Sequence, residues 1–132
     1  MIKKNFITKS MISFSSVILI TLSALFDIGS LILIKNVFNS YGYNLIDLAK
    51  FKNLLLLLSS KTFLLGIFLF IISPIFFFAA IMQTDLAKAY PLNISMKIIF
   101  NLLLAYIFLK EAISLKQIIG LILIIISVFL IL

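Results

Sequence analysis

Long apolar stretches broken by short polar ones dominate the chain. Four of them, over residues 11–34, 62–82, 86–109 and 115–132, run for about the length of a membrane span. A helix needs about 20 apolar residues to cross a ~30 Å hydrocarbon core. The pattern predicts an all-α integral membrane protein, one domain over residues 1–132, with four transmembrane helices. The first stretch is long for a signal peptide, contains Asp27 and has no small-residue cleavage site after it, so it reads as a mature helix.

The connections at 83–85 and 110–114 are short, which predicts antiparallel neighbours. The first connection, 35–61, is long. It opens with the loop formers Asn36, Asn39, Ser40, Gly42 and Asn44 and continues into a leucine run at 54–58. Five leucines cannot sit in water and cannot span. An interfacial amphipathic helix over roughly residues 45–58 fits them. The alternative is an early start to the second span, broken at Ser59-Ser60-Lys61.

Composition agrees with the pattern. Of 132 residues, 64% are hydrophobic and only 11% charged, with mean hydropathy +1.35. A soluble domain is about half apolar and a quarter charged, so a cytosolic enzyme, a disordered tail and a nucleic-acid-binding domain are all excluded. The net charge of +7 rests on eleven lysines and no arginine. Arginine supplies most bidentate contacts to bases and phosphates, whereas lysines flanking apolar spans face lipid headgroups. The counts on the two sides, four against six, leave dual topology open, while Lys3, Lys4 and Lys9 favour an inside N-terminus in the cell inner membrane. The absence of Cys and His removes disulfides, thiol chemistry and most zinc or haem sites. No cofactor or metal is expected.

Two charges fall well inside the spans: Asp27 in the first and Lys97 in the third. Each costs about 2.5–3.5 kcal/mol at the bilayer centre, so such residues face a partner or a watery cavity. At 100° per residue, Ser13, Ser16, Ser23, Asp27 and Ser30 share one stripe of the first helix. Tyr90, Asn93, Lys97 and Asn101 form a second stripe along the third. Both must avoid lipid, so they are expected to face each other across a substrate- or proton-binding cavity. The simpler reading is a static ion pair with serines as packing residues. Gly66 and Ser73, with Ala80, recur every seven residues in the second helix beside Pro74, and Gly120 and Ser127 do so in the fourth. Both sets read as packing seams that extend to oligomerisation.

The third helix opens with Ala87-Lys88-Ala89-Tyr90-Pro91-Leu92, closes with Leu109-Lys110-Glu111, and is followed by Leu115, Gln117, Gly120 and Ser127-Val128. This order resembles the C-terminal half of small drug/metabolite transporter superfamily proteins, with their A-Y-P or A-Y-A turn, G-E loop and G-x6-G-V helix. Two four-helix subfamilies compete. Asp27, Gly29 and Lys35 resemble the embedded-acid region of small multidrug resistance proteins, antiparallel homodimers that exchange protons for cations. Those proteins commonly stack the cation on a Trp, and this chain has none. Tyr90-Pro91-Leu92 and the segment before the second helix are more similar to EamA-like proteins, including flippase subunits for aminoarabinose linked to undecaprenyl phosphate. Lys110 stands where that family often has Gly, Ser127 where it has a second Gly, and Lys97 matches none of its features.

The resemblance implies a small membrane transporter, embedded in lipid, that flips or exports a lipid-linked sugar or small metabolite. It also implies a homodimer or a heterodimer with a paralogue. A proton-coupled multidrug exporter and a non-transporting scaffold or accessory subunit are the alternatives. An enzyme is not expected, because no paired aspartates, serine dyad or metal motif is present.

Overall fold

The computed structural model describes residues 12–42 and 50–131, and among these it places five α-helices and no strand. They are α1 (Phe14–Tyr41), α2 (Phe51–Ser59), α3 (Lys61–Ile81), α4 (Leu86–Leu109) and α5 (Leu115–Ile131). Residues 1–11, 43–49 and 132 lie outside the described set, and with them the N-terminal lysines, Asp47 and the first part of the 45–58 segment.

Helix α1 departs most from the sequence pattern. It runs to Tyr41, seven residues past the expected end at 34, and takes in Asn36, Asn39 and Ser40. Tertiary contacts outweigh the weak propensity of these residues. Val37 is buried, the Phe38 ring lies 6.1 Å from that of Phe63, and Ser40 Oγ returns its hydrogen to the Val37 carbonyl at 2.8 Å. The helix stops at Gly42, whose φ of 64° lets its N–H reach back to the Phe38 and Asn39 carbonyls.

The leucine run forms a separate short helix, α2, which ends where Ser60 turns extended (φ −79°, ψ 119°). Ser60 also caps α3, its Oγ accepting the Phe63 N–H at 3.4 Å. Only Leu57 of the run is buried; Leu54, Leu55, Leu56 and Leu58 remain exposed. Helix α4 has the expected bounds and ends at Lys110, in the left-handed conformation with φ 54°. Glycine adopts this conformation without steric cost. A side chain at this φ costs about 1–2 kcal/mol.

Helix α1 is the centre of the fold. It packs along α3 and against α4, while α5 packs mainly on α4 and α2 on α3. Helices α3 and α4 follow one another through a short turn yet touch sparingly, since α1 contacts both. A core of Ile20, Ala80, Ala89 and Leu92 forms where the start of α1 meets the end of α3 and the start of α4. Phenylalanines and isoleucines such as Phe68, Ile71, Ile75 and Phe78 point outward. An outside this apolar suits lipid rather than water. Helices α1, α3 and α4 are each long and apolar enough to cross a membrane, while α5 is a shorter apolar helix.

Candidate functional site

The α1–α3 contact follows from small residues at matching intervals. Ser16, Ser23 and Ser30 of α1 are buried, as are Gly66, Ser73 and Ala80 of α3. Ser73 Oγ donates to the Ser23 carbonyl at 2.9 Å, and the two hydroxyl oxygens lie 3.3 Å apart. A Cβ on Gly66 would come within 2.9 Å of Ile34 Cγ1 and 3.3 Å of the Ser30 carbonyl oxygen. The absent side chain is what lets the two backbones approach.

The opposite flank of the stripe turns towards α4. Lys97 Nζ donates to Asp27 Oδ2 at 2.7 Å, and the Asp27 and Lys97 side chains are 16% and 31% exposed. Ser30 Oγ donates to the Asp27 carbonyl at 2.6 Å, which points this serine hydroxyl along the helix rather than across it. The two charges the sequence singles out therefore meet across the α1–α4 boundary.

They line a cleft of about 400 Å³. Helix α1 contributes Ser23 and Asp27, and α4 contributes Tyr90, Asn93 and Lys97. Asn93 is 4% exposed, and its side-chain oxygen is buried without a hydrogen-bond partner. The fourth member of the α4 stripe, Asn101, is exposed and does not line the cleft. Ser13 likewise lies at the exposed start of α1, where its hydroxyl meets that of Ser15.

The sequence pattern assigns Ser73 and Pro74 to helix packing, yet α3 supplies a whole wall of the cleft: Phe70, Ser73, Pro74 and Phe77. The signal was Pro74. A proline within a helix removes the N–H that would bond the carbonyl four residues back, here that of Phe70. The Phe77 and Tyr90 rings, 6.4 Å between centroids, bring this wall to α4.

A second ion pair joins the same two regions further along. Lys35, two turns beyond Asp27 on α1, donates to Glu111 just after α4, and both side chains are about half exposed. The seam on α5 is different. Among the described residues, an added Cβ on Gly120 meets nothing of another helix within 4 Å, and Ser127 is exposed with its hydroxyl returned to the Leu123 carbonyl at 2.8 Å.

Chemically, the cleft presents a carboxylate, an ammonium, an unsatisfied amide oxygen and aromatic walls. It can bind and orient a polar molecule. The family model of the EamA-like transporter family matches residues 5–132 of the chain. No protein of curated function matches it, and neither does any solved structure.

Proposed function

Since this chain belongs to the EamA-like transporter family, a family of multi-pass membrane transporters rather than enzymes, we propose that it carries a small solute across the cell inner membrane through the α1–α3–α4 cleft. The observation behind this reading is the Asp27–Lys97 pair. Two charges costing about 2.5–3.5 kcal/mol each at mid-membrane stand in helices of spanning length and line one cavity. In this reading α5 is a fourth, short span, and α2 lies in the interface with its exposed leucines in lipid and Lys50 and Lys52 at the headgroups.

Three spans and a short fourth make a thin wall for a pathway. The open Gly120–Ser127 face of α5 supports a dimer, either with a second copy or with a paralogue. That same open face favours the second reading, a non-transporting subunit whose α5 binds a partner helix. A lipid-linked sugar requires the cleft to open sideways to lipid. A proton-coupled exporter of cations requires Lys97 to release Asp27 first.

Flux in proteoliposomes decides between transport and a structural role. Asp27→Asn and Lys97→Met are each expected to abolish flux while the protein still inserts. Full flux in both would remove the cleft from the pathway. Cross-linking in nanodiscs tests the dimer, which an active monomer would contradict.

A further inference from the structure

The two ends of the helix bundle differ in charge. The Gly66 position lies against Ile34, and Lys35 pairs with Glu111, so the end of α1, the start of α3 and the end of α4 share one end. The start of α5 joins them through the short turn after α4. This end carries Lys35, Lys50, Lys52, Lys61, Lys110 and Lys116, against Glu111 as its acid among the described residues. The opposite end carries Asp85 and Lys88, whose charges balance.

Helix α2 concentrates the excess. From residue 50 to residue 84 the chain has Lys50, Lys52 and Lys61 and no acid. Lys52 and Lys61 are exposed and make no ion pair among the described residues. At 100° per residue, Phe51, Leu54, Leu55 and Leu58 share one face of α2. All four are exposed, Phe51 to 76%. Lys52, Asn53 and Ser59 fall outside that face, with Leu56 among them. Leu57 is buried, and α2 packs on α3. One side of the helix is thus held to the bundle, while an apolar face and its flanking cations stay uncovered.

Charge complementarity decides what covers them. Free phosphate would satisfy the lysines and leave the leucines in water. A zwitterionic lipid would cover the leucines but bring no net charge to the ammonium groups. An anionic phospholipid does both. Its acyl chains cover Phe51, Leu54, Leu55 and Leu58, and its phosphate meets Lys52 and Lys61. Amphipathic helices gain from both contributions, apolar burial and attraction to anionic lipid.

We infer that α2 is a docking surface for anionic phospholipid, selected by Lys52 and Lys61 beside the exposed apolar face. This rests on the interfacial placement of α2 proposed above and adds the lipid class it takes.

The chain has no tryptophan, so a single fluorophore can be placed at will. Phe51→Trp puts it on the apolar face of α2, and Phe129→Trp puts it on the exposed last turns of α5, at the opposite end. The full chain is reconstituted in phosphatidylcholine vesicles containing brominated phosphatidylglycerol, or in the reverse mixture. Quenching then gives the relative affinity for the two lipids at each position. At Phe51→Trp, phosphatidylglycerol is expected to be preferred at least about fivefold, the equivalent of one lysine at an anionic surface. At Phe129→Trp no preference is expected. Salt at 1 M, where the screening length is about 3 Å, should bring the α2 ratio towards one.

Charge removal locates the site. Lys52→Gln/Lys61→Gln should abolish the preference at Phe51→Trp, and Lys110→Gln/Lys116→Gln, which removes as much charge from the same end, should leave most of it. An equal fall in both double variants reduces the effect to diffuse charge and overturns the site. A ratio near one with strong quenching by both lipids sinks the lipid class and keeps α2 in the interface. Absence of quenching by either lipid puts α2 in water and overturns the interfacial placement as well.

Discussion

Helix α1 presents two faces built on different physics. Towards α3 it offers small side chains and close backbone contact, with Ser23, Ser30 and Ile34 against Gly66 and Ser73. Towards α4 and its C-terminal turn it offers ion pairs, Asp27–Lys97 and Lys35–Glu111. Close packing has one good arrangement and resists displacement. An ion pair can be exchanged for another at little net change, provided neither charge is left alone. The contrast sets a close-packed α1–α3 unit against an α1–α4 boundary held by charges, which on the proposed transport reading is where a ligand would enter.

Breaking the fixed face should have the largest effect. Gly66→Leu places a branched side chain where even a Cβ would lie 2.9 Å from Ile34 Cγ1 and 3.3 Å from a backbone oxygen. Overpacking of this kind costs about 1–3 kcal/mol and sometimes more, and the upper end is expected here because backbone bounds the space. Thermal unfolding in detergent should show a large drop for Gly66→Leu. Gly120→Leu should show almost none in the monomer, because open space surrounds that position. Equal losses at both glycines would erase the distinction between the α1–α3 seam and the α5 face.

The exchangeable face comes next. Asp27→Asn or Lys97→Met strands one charge. Removing one partner of a fully buried pair costs about 3–5 kcal/mol, and the partial exposure of Lys97, 31%, brings the expectation below that. The double variant Asp27→Asn/Lys97→Met removes both charges and should recover most of the stability while remaining unable to transport. Recovery of the fold without flux separates the ligand role from a structural one. A double variant as unstable as the singles would show that the pair is itself a packing element.

The legibility of these two faces differs for physical reasons. Asp27 and Lys97 were conspicuous because an apolar span can hardly carry a charge without a partner, and the bounds of α4 were plain because Asp85 and Lys110 punctuate it. Ser16, Ser23 and Ser30 and the Gly66–Ser73 seam also stood out, at matching sevenfold intervals. The end of α1 did not, because Asn36 to Ser40 are weak helix formers whose stretch packs on α3 through Phe38 and Phe63. The α3 wall was equally hidden. Phe70 and Phe77 look like any other phenylalanine facing lipid, and only Pro74 distinguishes their stretch of helix.

A smaller effect sharpens the fixed face. Ser73→Ala removes a hydroxyl that donates across the seam to the Ser23 carbonyl at 2.9 Å. Interhelical hydrogen bonds in membranes average about 0.6 kcal/mol and reach about 1.7. Backbone approach here depends on residue size more than on the hydrogen bond, so the lower figure is expected. Ser73→Val, which adds bulk as well, should cost clearly more than Ser73→Ala. If alanine and valine cost the same, hydrogen bonding rather than close packing holds α1 to α3.

The smallest effect sits at the outer end of the exchangeable face. Lys35 and Glu111 are about half exposed, and exposed pairs contribute roughly 0.2–1 kcal/mol, less at high salt. Glu111→Gln should therefore leave the melting temperature almost unchanged at high salt and lower it slightly at low salt. Its effect on flux should be larger than its effect on stability if the α1–α4 boundary opens during transport, since this pair spans that boundary beyond the cleft. Lys110→Gly, next to it, relieves the left-handed strain at φ 54° and should stabilise the turn by about 1 kcal/mol. Lys110→Gly leaves both charges of the outer pair in place. A gain in stability there with unchanged flux, set beside altered flux without instability in Glu111→Gln, would assign the outer pair to motion and the turn to fold.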